Sequence, residues 1–357
     1  MPALSTRRLT VAVVGATGVV GGTMIRMLLE REFPAAELRL LASGRSAGRT
    51  VDVDGVPHIV QEATPEAFEG VDIALFSAGG DTSKALAPEA ARRGATVIDN
   101  SSAWRMDPNV PLVVSQVNPD DLEAHEGIIA NPNCSTMQLV PVLMALRDAV
   151  GLERIVVDTY QAVSGTGGKA IVELQAQVEA HVADQPLEAS VYPHPIAFNA
   201  LPQVDVFLDN GYTKEEWKLV TESRKILHLP DLRVSSTAVR VPVFVAHSEA
   251  VHVETSGPIT PDRARTLFAA VPGVVVRDDP STSTYPLATE AAGTDEIYVG
   301  RIRQDPSIDG GRGLAFWVVS DNLRKGAATN AVQLAETLVE RGWVRAAAAR
   351  NAAGTTA

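Results

Sequence analysis

Cysteine is almost absent from the sequence, since Cys134 is the only one among 357 residues. A single thiol excludes an internal disulfide, and it excludes a zinc site built from several cysteines. The seven histidines are scattered along the chain, and none forms a pair with the spacing of metal ligands. We therefore expect no structural disulfide and no bound metal.

The sequence also lacks long apolar runs and any excess of positive charge. No apolar run approaches the length of about 20 residues that a membrane-spanning helix needs. The formal net charge of −12 disfavours nucleic acid or an anionic membrane as a partner, because either would attract a basic surface. Two arginines precede the apolar residues 9–14, but glycines follow directly, which indicates a first strand rather than a secretory signal. We expect a cytoplasmic protein.

The pattern of apolar segments changes near residue 134, and a chain of this length predicts two domains. Before that point short apolar strands alternate with helices, which is typical of a mostly parallel sheet covered on both faces. The strands are predicted over 9–14, 37–43, 71–78, 95–101, 112–117 and 127–133, and the helices over 19–30 and 82–93. After it come a predicted helix over 134–150, longer strands that favour an antiparallel sheet, and a last helix over 322–344. The longer strands are predicted over 154–164, 234–254, 296–303 and 314–320.

Three glycines, Gly15, Gly18 and Gly21, stand between the first predicted strand and the first predicted helix. A glycine-rich turn in that position lets a pyrophosphate approach the backbone, and the helix N-terminus faces the anion. The spacing is GxxGxxG, so an alternative stays open in which the glycines only turn the strand into the helix. The first interpretation predicts a Rossmann-type dinucleotide-binding domain.

The end of the second predicted strand bears on the choice of dinucleotide. NAD-binding folds usually place an acid there, whereas a nearby arginine accommodates the 2′-phosphate of NADP. This chain has Ser43, Arg45 and Ser46 at that point and no acid. NADP is therefore favoured over NAD, with a solvated loop arginine as the alternative interpretation of Arg45.

Together these patterns predict an α/β fold with a discontinuous first domain. Residues 1–133 and 322–345 are predicted to form the Rossmann-type NADP-binding domain. Residues 134–321 are predicted to form an inserted α+β domain with a mostly antiparallel sheet. The alanine-rich residues 346–357 are expected to fray, as chain termini often do.

Cys134 lies where a predicted strand ends and an apolar helix begins, within Asn-Pro-Asn-Cys-Ser-Thr. The positive end of a helix dipole and the unpaired N–H groups of the first turn favour a thiolate, so this cysteine is a candidate nucleophile. Most cysteines are instead small buried apolar side chains. The polar neighbours on both sides favour the nucleophile.

His247 is the candidate acid/base partner of the thiol, seven residues after Arg240 in the same predicted strand region. An odd spacing places two side chains on opposite faces of an ideal strand, so a bulge, bend or strand end must separate them if they share a site. Taken alone, His247 is more typical of a structural histidine and Arg240 of a surface arginine.

Seven segments in order resemble the aspartate-β-semialdehyde dehydrogenase family over nearly the whole chain, from Val11 to about Leu338. They are GATGVVG (15–21), NSSAWRM (100–106), NPNCST (131–136), YQAVSGTG (160–167), DNGYTKEEWK (209–218), TESRKILHL (221–229) and RVPVFVAHSE (240–249). Their order and spacing are jointly far more specific than any one motif. The resemblance implies a homodimer, with the second domain serving catalysis and dimerisation, and leaves open whether dimers pair into tetramers.

The resemblance also implies a role for individual residues. Cys134 matches the family's acyl-enzyme nucleophile and His247 its acid/base. The substrate-binding positions are matched by Arg105 and Lys225 for the phosphate, Arg240 for the α-carboxylate, Glu222 for the ammonium, and Asn133 and Gln161 for polar positioning around the thiol. The cofactor contacts are matched by Gly15, Thr17, Gly18, Val19, Val20, Ser43, Arg45, Ser46, Ser164, Gly165 and Asn322.

The implied reaction is the NADPH-dependent reductive dephosphorylation of L-aspartyl 4-phosphate to L-aspartate 4-semialdehyde through a thioester on Cys134. The family serves the biosynthesis of lysine, diaminopimelate, threonine, methionine and isoleucine. Backbone N–H groups beside Cys134 are expected to stabilise the oxyanion, at about 3 kcal/mol per donor. His247 is expected to supply the proton to that oxygen.

Three other functions remain as alternatives. An N-acetyl-γ-glutamyl-phosphate reductase is disfavoured by Glu222, because an acetylated nitrogen carries no charge for a carboxylate to pair with. A non-catalytic NADPH-binding paralogue is disfavoured by the retention of Cys134 together with its partners. A thiol redox sensor would need a second thiol from outside the chain.

One departure from the family pattern, and one segment, carry no assigned role at this stage. Trp104 stands where phenylalanine is common, which preserves packing beside Arg105 and is expected to change the shape of the phosphate pocket. The proline-rich residues 175–205 are interpreted as a subunit-contact or cover region without a catalytic residue.

Overall fold

The computed structural model describes residues 9–345, which form two compact units. Unit 1 runs to Pro132 and includes the chain again from Ala327, and unit 2 comprises Asn133–Gly326. The expected frayed tail, 346–357, lies outside the described residues. Among residues 9–345, no helix combines the length and apolar character needed to cross a membrane.

The strands and α-helices of the described residues were numbered along the chain. The strands are β1 (Leu9–Val14), β2 (Ala35–Ala42), β3 (Thr50–Val53), β4 (Val56–Ile59), β5 (Gln61–Glu62), β6 (Ile73–Phe76), β7 (Thr96–Asp99), β8 (Ile128–Ala130), β9 (Leu152–Gln161), β10 (Arg233–Arg240), β11 (His247–Thr255), β12 (Val274–Val276), β13 (Ile297–Gln304) and β14 (Gly313–Ser320). The helices are α1 (Val19–Glu30), α2 (Gly80–Arg92), α3 (Cys134–Val150), α4 (Gly168–Val182), α5 (Lys214–Ile226), α6 (Pro261–Ala269), α7 (Ala288–Ala291) and α8 (Asn330–Arg341).

Unit 1 is built on a parallel sheet with the strand order β5-β2-β1-β6-β7-β8. In β1, Val11 and Val13 pack with residues of α1 and α8, whereas Ala12 and Val14 pack with residues of α2. Both faces of the sheet are therefore covered, which explains why its central strand is continuously apolar. The predicted parallel sheet is confirmed, and the helix predicted over 19–30 has the same bounds in the structure.

The strand predicted over 112–117 is wrong. Only Leu112 forms a bridge, to Ala130, and the chain then turns. The Val114 N–H donates to Asn118 Oδ1 at 3.0 Å, and the Val117 N–H donates to the Val114 carbonyl. An asparagine side chain thus satisfies a backbone donor that a strand would have paired, a competition that the apolar pattern does not reveal.

Unit 2 is built on a mixed sheet with the strand order β10-β9-β11-β14-β13-β12. Its central strands pair antiparallel, and the edge strands β10 and β12 pair in parallel with their neighbours. From Ile155 on β9 and from Glu249 on β11 every second residue is buried, including Val157, Val251 and Val253, and α3 packs against these strands. The predicted mostly antiparallel sheet is confirmed.

The single strand region predicted over 234–254 is wrong, because the structure divides it into two strands. β10 ends at Arg240 and pairs with one edge of β9, and β11 begins at His247 and pairs with its other edge. Residues 241–246 cross between the two edges, and Ala246 has a positive φ of 77°. This crossing is the strand end that the odd spacing of Arg240 and His247 requires.

The last predicted helix, 322–344, begins later than expected. Asn322 and Leu323 precede a π-helical turn over Arg324–Thr329, and the α-helix α8 begins only at Asn330. Asp321 Oδ1 accepts the N–H groups of Leu323 and Arg324 at 2.8 and 2.9 Å. Such wide turns are frequent at functional sites. The β3–β4 hairpin and the helices α4, α5, α6 and α7 were not predicted from the sequence patterns.

Candidate active site

The glycine turn between β1 and α1 leaves the backbone accessible. Gly15 has a φ of +87°, and a Cβ there would overlap the carbonyl of Ser77. A Cβ on Gly21 would overlap the carbonyl of Gly15, so both positions require glycine. Gly18 caps α1 without a side-chain bond, and residues 17–19 are exposed with Val20 half-buried. A helix N-terminus presented in this way fits a dinucleotide pyrophosphate.

The turn after β2 exposes Ser43 and Arg45 and half-buries Ser46. The Ser46 N–H donates to the Ser43 carbonyl at 2.8 Å, which closes the turn. An acid does lie nearby, because a Cβ on Gly44 would stand 2.8 Å from Glu62 Oε1. The sequence around the end of β2 does not reveal Glu62, because this residue belongs to β5, which pairs with the end of β2.

Arg105 is buried in unit 1 and held by backbone carbonyls. Its Nε donates to the Asn131 carbonyl at 3.0 Å and its Nη2 to the Asn100 carbonyl at 2.8 Å. The Asn131 side chain donates to Asn100 Oδ1 at 2.8 Å, which ties the two carbonyl-bearing residues together. These two carbonyl groups orient the Arg105 guanidinium.

Trp104 belongs to a buried hydrogen-bond chain that the sequence analysis did not find. Its indole Nε1–H donates to Ser83 Oγ at 2.8 Å, and the Ser83 hydroxyl donates to Asp99 Oδ2 at 2.7 Å. Asp99 also accepts the Ser101 N–H at 3.0 Å and the Ser101 hydroxyl at 2.7 Å. The loop that carries Arg105 is therefore attached to α2 and to the end of β7.

Cys134 is the first residue of α3, as predicted, and it is half-buried. Asn133 caps the helix, since its Oδ1 accepts the Ser135 N–H at 3.0 Å. That N–H is consequently occupied and does not serve as the expected oxyanion donor. Gly326 packs against the cysteine so closely that a Cβ there would lie 2.9 Å from Cys134 Cβ.

Glu215 organises the polar groups around the cysteine, although the sequence analysis gave it no role. Its Oε1 accepts from Asn133 Nδ2 at 2.9 Å and from Gln161 Nε2 at 3.0 Å, and its Oε2 accepts from Lys218 Nζ at 2.8 Å. Burial alone would raise the pKa of Glu215, but the Lys218 ammonium and these hydrogen bonds outweigh it and lower the pKa to about 2. Glu215 is therefore a carboxylate that fixes both predicted amide side chains. The only local signal was the pair of acids at the start of α5.

Glu222 and Lys225 lie one turn apart on α5. Glu222 is buried, and its Oε2 accepts the Asn133 N–H at 2.7 Å. Lys225 is half-buried. The helix therefore brings an acid directly to the residue before Cys134.

Ala162, the first residue after β9, orients both His247 and Arg240. Its N–H donates to His247 Nδ1 at 3.0 Å, and its carbonyl accepts from Arg240 Nη1 at 2.6 Å. Because Nδ1 is an acceptor, the hydrogen-bond network assigns the proton of the neutral imidazole to Nε2. Burial, and secondly the Arg240 charge, lower the pKa of His247 to about 3, so the ring is neutral at physiological pH.

Gly165 marks the space that Arg240 and His247 share. A Cβ at Gly165 would lie 3.1 Å from Arg240 Nη1 and 3.2 Å from His247 Nε2. Within residues 9–345, neither His247 Nε2 nor Arg240 Nε has a hydrogen-bond partner. The unpartnered His247 Nε2 beside the exposed Gly165, together with the unpartnered Nε of the adjacent Arg240, forms a place where a substrate with acceptor oxygens can bind.

The side chains of Asn322 and Ser164 are hydrogen-bonded to each other, and Asn322 also bonds to Ala246, the residue before His247. Asn322 Nδ2 lies 3.0 Å from Ser164 Oγ, and its Oδ1 accepts the Ala246 N–H at 2.9 Å. Ala246 has the positive φ noted above, a conformation that costs free energy and needs support. The position predicted for cofactor contact therefore also fixes the residue before His247.

The site in unit 2 thus brings together Asn133, Cys134, Gln161, Glu215 and Glu222 around the start of α3, and Gly165, Arg240 and His247 around the end of β9. Arg105 and the glycine turn belong to unit 1. Across residues 9–345 there is no cluster of three His, Cys, Asp or Glu side chains placed to hold a metal ion.

Comparison with known proteins agrees with the order of these elements. Residues 10–125 match the family described as semialdehyde dehydrogenase, NAD binding domain, and residues 143–325 match semialdehyde dehydrogenase, dimerisation domain. Aspartate-semialdehyde dehydrogenase of Aquifex aeolicus is 53% identical over 338 residues, which cover 94% of this chain and 99% of that protein. The Bacillus subtilis enzyme of the same name is 52% identical over 340 residues, covering 93% and 98%.

A solved structure shows the same relationship. Aspartate semialdehyde dehydrogenase II of Vibrio cholerae, complexed with ASA, has a TM-score of 0.90 and 47% identity, covering 94% of this chain and 99% of that one. The family resemblance and the α/β fold inferred from the sequence are confirmed, and with them a nicotinamide-binding domain. The chain belongs to the aspartate-semialdehyde dehydrogenase family.

Proposed function

We propose that the chain catalyses the NADPH-dependent reductive dephosphorylation of L-aspartyl 4-phosphate to L-aspartate 4-semialdehyde through a thioester on Cys134. The observation that carries the proposal is that unit 2 contains both Cys134, at the start of α3, and a neutral His247 that shares Ala162 with Arg240 as a hydrogen-bond partner. The identity to named relatives over nearly the whole chain supports the same substrate.

Cys134 is the nucleophile of the proposed reaction. A thiolate at a helix N-terminus attacks the acyl carbon, the bond from that carbon to the phosphate oxygen breaks, and inorganic phosphate leaves. The nicotinamide cofactor supplies a hydride to the thioester carbon when it is bound. The tetrahedral thiohemiacetal anion that results collapses to the aldehyde as its carbon–sulfur bond breaks, which restores the Cys134 thiolate.

His247 acts as a hydrogen-bond donor through Nε2 in this reaction. Its Nδ1 already accepts the Ala162 N–H, so the neutral ring offers its proton, and not a lone pair, to the substrate oxygen. A neutral donor fixed in a dry site stabilises the developing oxyanion without reorganisation. In the forward direction the same N–H keeps its hydrogen bond to the thiohemiacetal oxyanion until the carbon–sulfur bond breaks.

The charges of the substrate are matched by side chains of opposite charge. Arg240, with its unpartnered Nε within the described residues, suits the α-carboxylate, for which a planar bidentate donor is favourable. Glu222 suits the α-ammonium, and Asn133 and Gln161 are fixed by Glu215 beside it. Arg105 and Lys225 are assigned to the phosphate.

NADP is the proposed cofactor, bound by the glycine turn and by residues 43–46. Arg45 and the serines on either side suit a 2′-phosphate, and their exposure leaves them accessible to it. Ser164, Gly165 and Asn322 are assigned to the nicotinamide end, although the bonds of Asn322 to Ala246 and Ser164 leave it fewer groups for that role.

A homodimer formed through unit 2 is proposed as the assembly. The face of the sheet opposite α3 exposes Tyr160 and half-exposes Trp317, whose rings lie 5.3 Å apart. Next to them is a groove of about 490 Å³ lined in part by His252, Tyr285 and Phe316. An aromatic patch of this kind marks an interaction surface, and the family description of residues 143–325 is a dimerisation domain.

The function is tested by mixing the purified protein with aspartate semialdehyde, phosphate and NADP and following the absorbance of the reduced cofactor. NAD replaces NADP in a second series, N-acetylglutamate semialdehyde replaces the substrate in a third, and Cys134→Ala is the matched variant. We expect phosphate-dependent reduction of NADP by the wild type, weak activity with the acetylated compound and none in Cys134→Ala.

Activity that survives in Cys134→Ala would contradict the thioester mechanism. Preference for the acetylated compound would favour the N-acetyl-γ-glutamyl-phosphate reductase alternative. Cofactor binding without turnover of either aldehyde would contradict the proposed enzyme.

A further inference from the structure

The segment between α4 and α5, residues 183–213, is fixed to α4 although it forms no helix or named strand of its own. Buried Glu173, on α4, accepts the N–H and hydroxyl of Ser190 and the N–H of Val191 at 2.8, 2.7 and 2.6 Å. Gln177 Oε1, one turn later, accepts the N–H groups of residues 196 and 197, each at 2.9 Å. The residues on both sides of Tyr192 are therefore held in place.

Tyr192 stands beside the proposed carboxylate-binding arginine. The Arg240 Cζ lies over its ring, 6.0 Å from the centroid, within the range of a cation–π interaction. The Tyr192 hydroxyl donates to Thr166 Oγ1 at 2.9 Å. Thr166 ends the short turn that carries Gly165, so the phenol is attached to the same turn that opens the space in front of Arg240.

Arg240 is held by the same segment through its backbone as well. Leu201 and Arg240 exchange both backbone hydrogen bonds, at 2.9 and 2.8 Å. The side chain leaves β10 with only Nη1 anchored, on the Ala162 carbonyl, and no group of the described chain pairs with Nε. A guanidinium that is held by one hydrogen bond can still rotate about that hydrogen bond unless a flat group packs against its face.

We propose that Tyr192 is a positioning residue of the carboxylate subsite, and that its ring holds the Arg240 guanidinium in the plane that binds the substrate α-carboxylate. This inference rests on the proposed function. It assigns a specificity role to a residue within 175–205, which the sequence predicted to be a subunit-contact or cover region without a catalytic residue. Loss of the Tyr192 ring should weaken the binding only of ligands that carry an α-carboxylate, because only these ligands bind Arg240.

The test compares Tyr192→Leu, which removes the aromatic face, with Tyr192→Phe, which keeps the face and removes the bond to Thr166. Phe198→Leu is the control, since Phe198 is an exposed aromatic of the same segment that packs on His181 at 4.3 Å. We expect Tyr192→Leu to raise KM for aspartate semialdehyde by about threefold to tenfold. The kcat and the KM values for phosphate and NADP stay within about twofold, and Tyr192→Phe and Phe198→Leu resemble the wild type.

A binding measurement separates this inference from the proposed function. Calorimetric titration with L-aspartate, and with β-alanine, which lacks the α-carboxylate, needs no turnover. We expect Tyr192→Leu to weaken L-aspartate binding and to leave β-alanine binding unchanged, even if the wild type fails to oxidise aspartate semialdehyde. Equal L-aspartate binding by Tyr192→Leu and wild type, or equal loss of all ligands together with a lower Tm, overturns the proposal.

Discussion

At the scale of single residues, Glu249 is a carboxyl group in an unusual environment. It lies two residues after His247 on β11, is fully buried, and neither of its oxygens has a hydrogen-bond partner of good geometry among residues 9–345. Burial raises the pKa of Glu249 to about 8, and the facing Gln138 amide offsets only part of this effect. The residue is therefore protonated at neutral pH, so it adds no negative charge to the strand that carries the neutral His247.

We predict that Glu249→Gln stabilises the protein increasingly as the pH rises. The pKa of Glu249 is higher in the folded than in the unfolded chain, so wild-type stability falls as the pH rises from about 4.5 towards 8. Each pKa unit corresponds to about 1.4 kcal/mol, so the gain should reach a few kcal/mol. Denaturant unfolding at pH 5 and pH 8 measures it, with Glu123→Gln as the control at an exposed position. A gain equal at both pH values would contradict the prediction.

His247 offers a second test at the residue scale, because its proposed role is donation from Nε2. Glutamine retains an N–H donor and leucine does not. We predict that His247→Leu lowers kcat by about 10²- to 10⁴-fold, and that His247→Gln retains substantially more activity. Initial rates of both variants at saturating substrate decide this, and similar rates for the two would argue against a donor role.

The low pKa of His247 also predicts the shape of the pH profile. With a pKa of about 3, the imidazole does not titrate between pH 5 and 7. The kcat/KM of the wild type and of His247→Gln should therefore depend on pH in the same way over that interval. An inflection near pH 6.5 in the wild type alone would show that His247 titrates.

At the scale of elements, the chain from Trp104 through Ser83 to Asp99 connects the Arg105 loop, α2 and β7. Phenylalanine at position 104 would keep the ring and lose only the indole N–H. A hydrogen bond of this kind contributes about 1 kcal/mol to the structure it holds. The substitution that sets this chain apart from the common family pattern therefore adds a constraint on the proposed phosphate-binding arginine.

We predict that Trp104→Phe raises KM for phosphate by about threefold to tenfold, with KM for NADP and aspartate semialdehyde unchanged. Ser83→Ala should have at least as large an effect, because it removes the bond to Asp99 as well, and the double variant should be no worse than Ser83→Ala, because the bond between Trp104 and Ser83 is already lost there. Steady-state kinetics of the four proteins provide the double-mutant cycle. Additive effects would show that the two residues act independently.

At the scale of the whole molecule, the aromatic face of unit 2 carries the proposed assembly. Tyr160 is 39% exposed and is the second-last residue of β9. Gln161 ends that strand, and Ala162, which follows it, bonds to His247 and Arg240. A subunit contact on this face would therefore adjoin the strand that positions the catalytic groups. Loss of the subunit contact should therefore lower the enzymatic activity as well as the mass of the assembly in solution.

We predict that Tyr160→Glu shifts the protein from dimer to monomer, since a charge buried in an interface without a partner is costly. Light scattering after gel filtration measures the mass, with Ile59→Glu as the control, because Ile59 is 67% exposed on the β3–β4 hairpin of unit 1. A dimer that persists in Tyr160→Glu would place the interface elsewhere.

The sequence by itself determined the features whose cause is local. The apolar run 9–14 ending at glycine, the periodic apolar residues of α1, and the polar residues that start α3 at Cys134 all act within one or two turns of chain. Their positions were predicted closely for that reason. The order of the family motifs also predicted the fold and the candidate nucleophile.

Only the tertiary structure decided how those residues are held. Glu215 contacts Asn133 across 82 residues, Asp99 at the end of β7 contacts Ser83 on α2, and Tyr192 contacts Arg240 from a segment without regular structure. The division of 234–254 into two strands likewise follows from pairing on opposite edges of β9. Such contacts join residues far apart in the chain, and their free energy comes from burial and shared hydrogen bonds that no local pattern encodes.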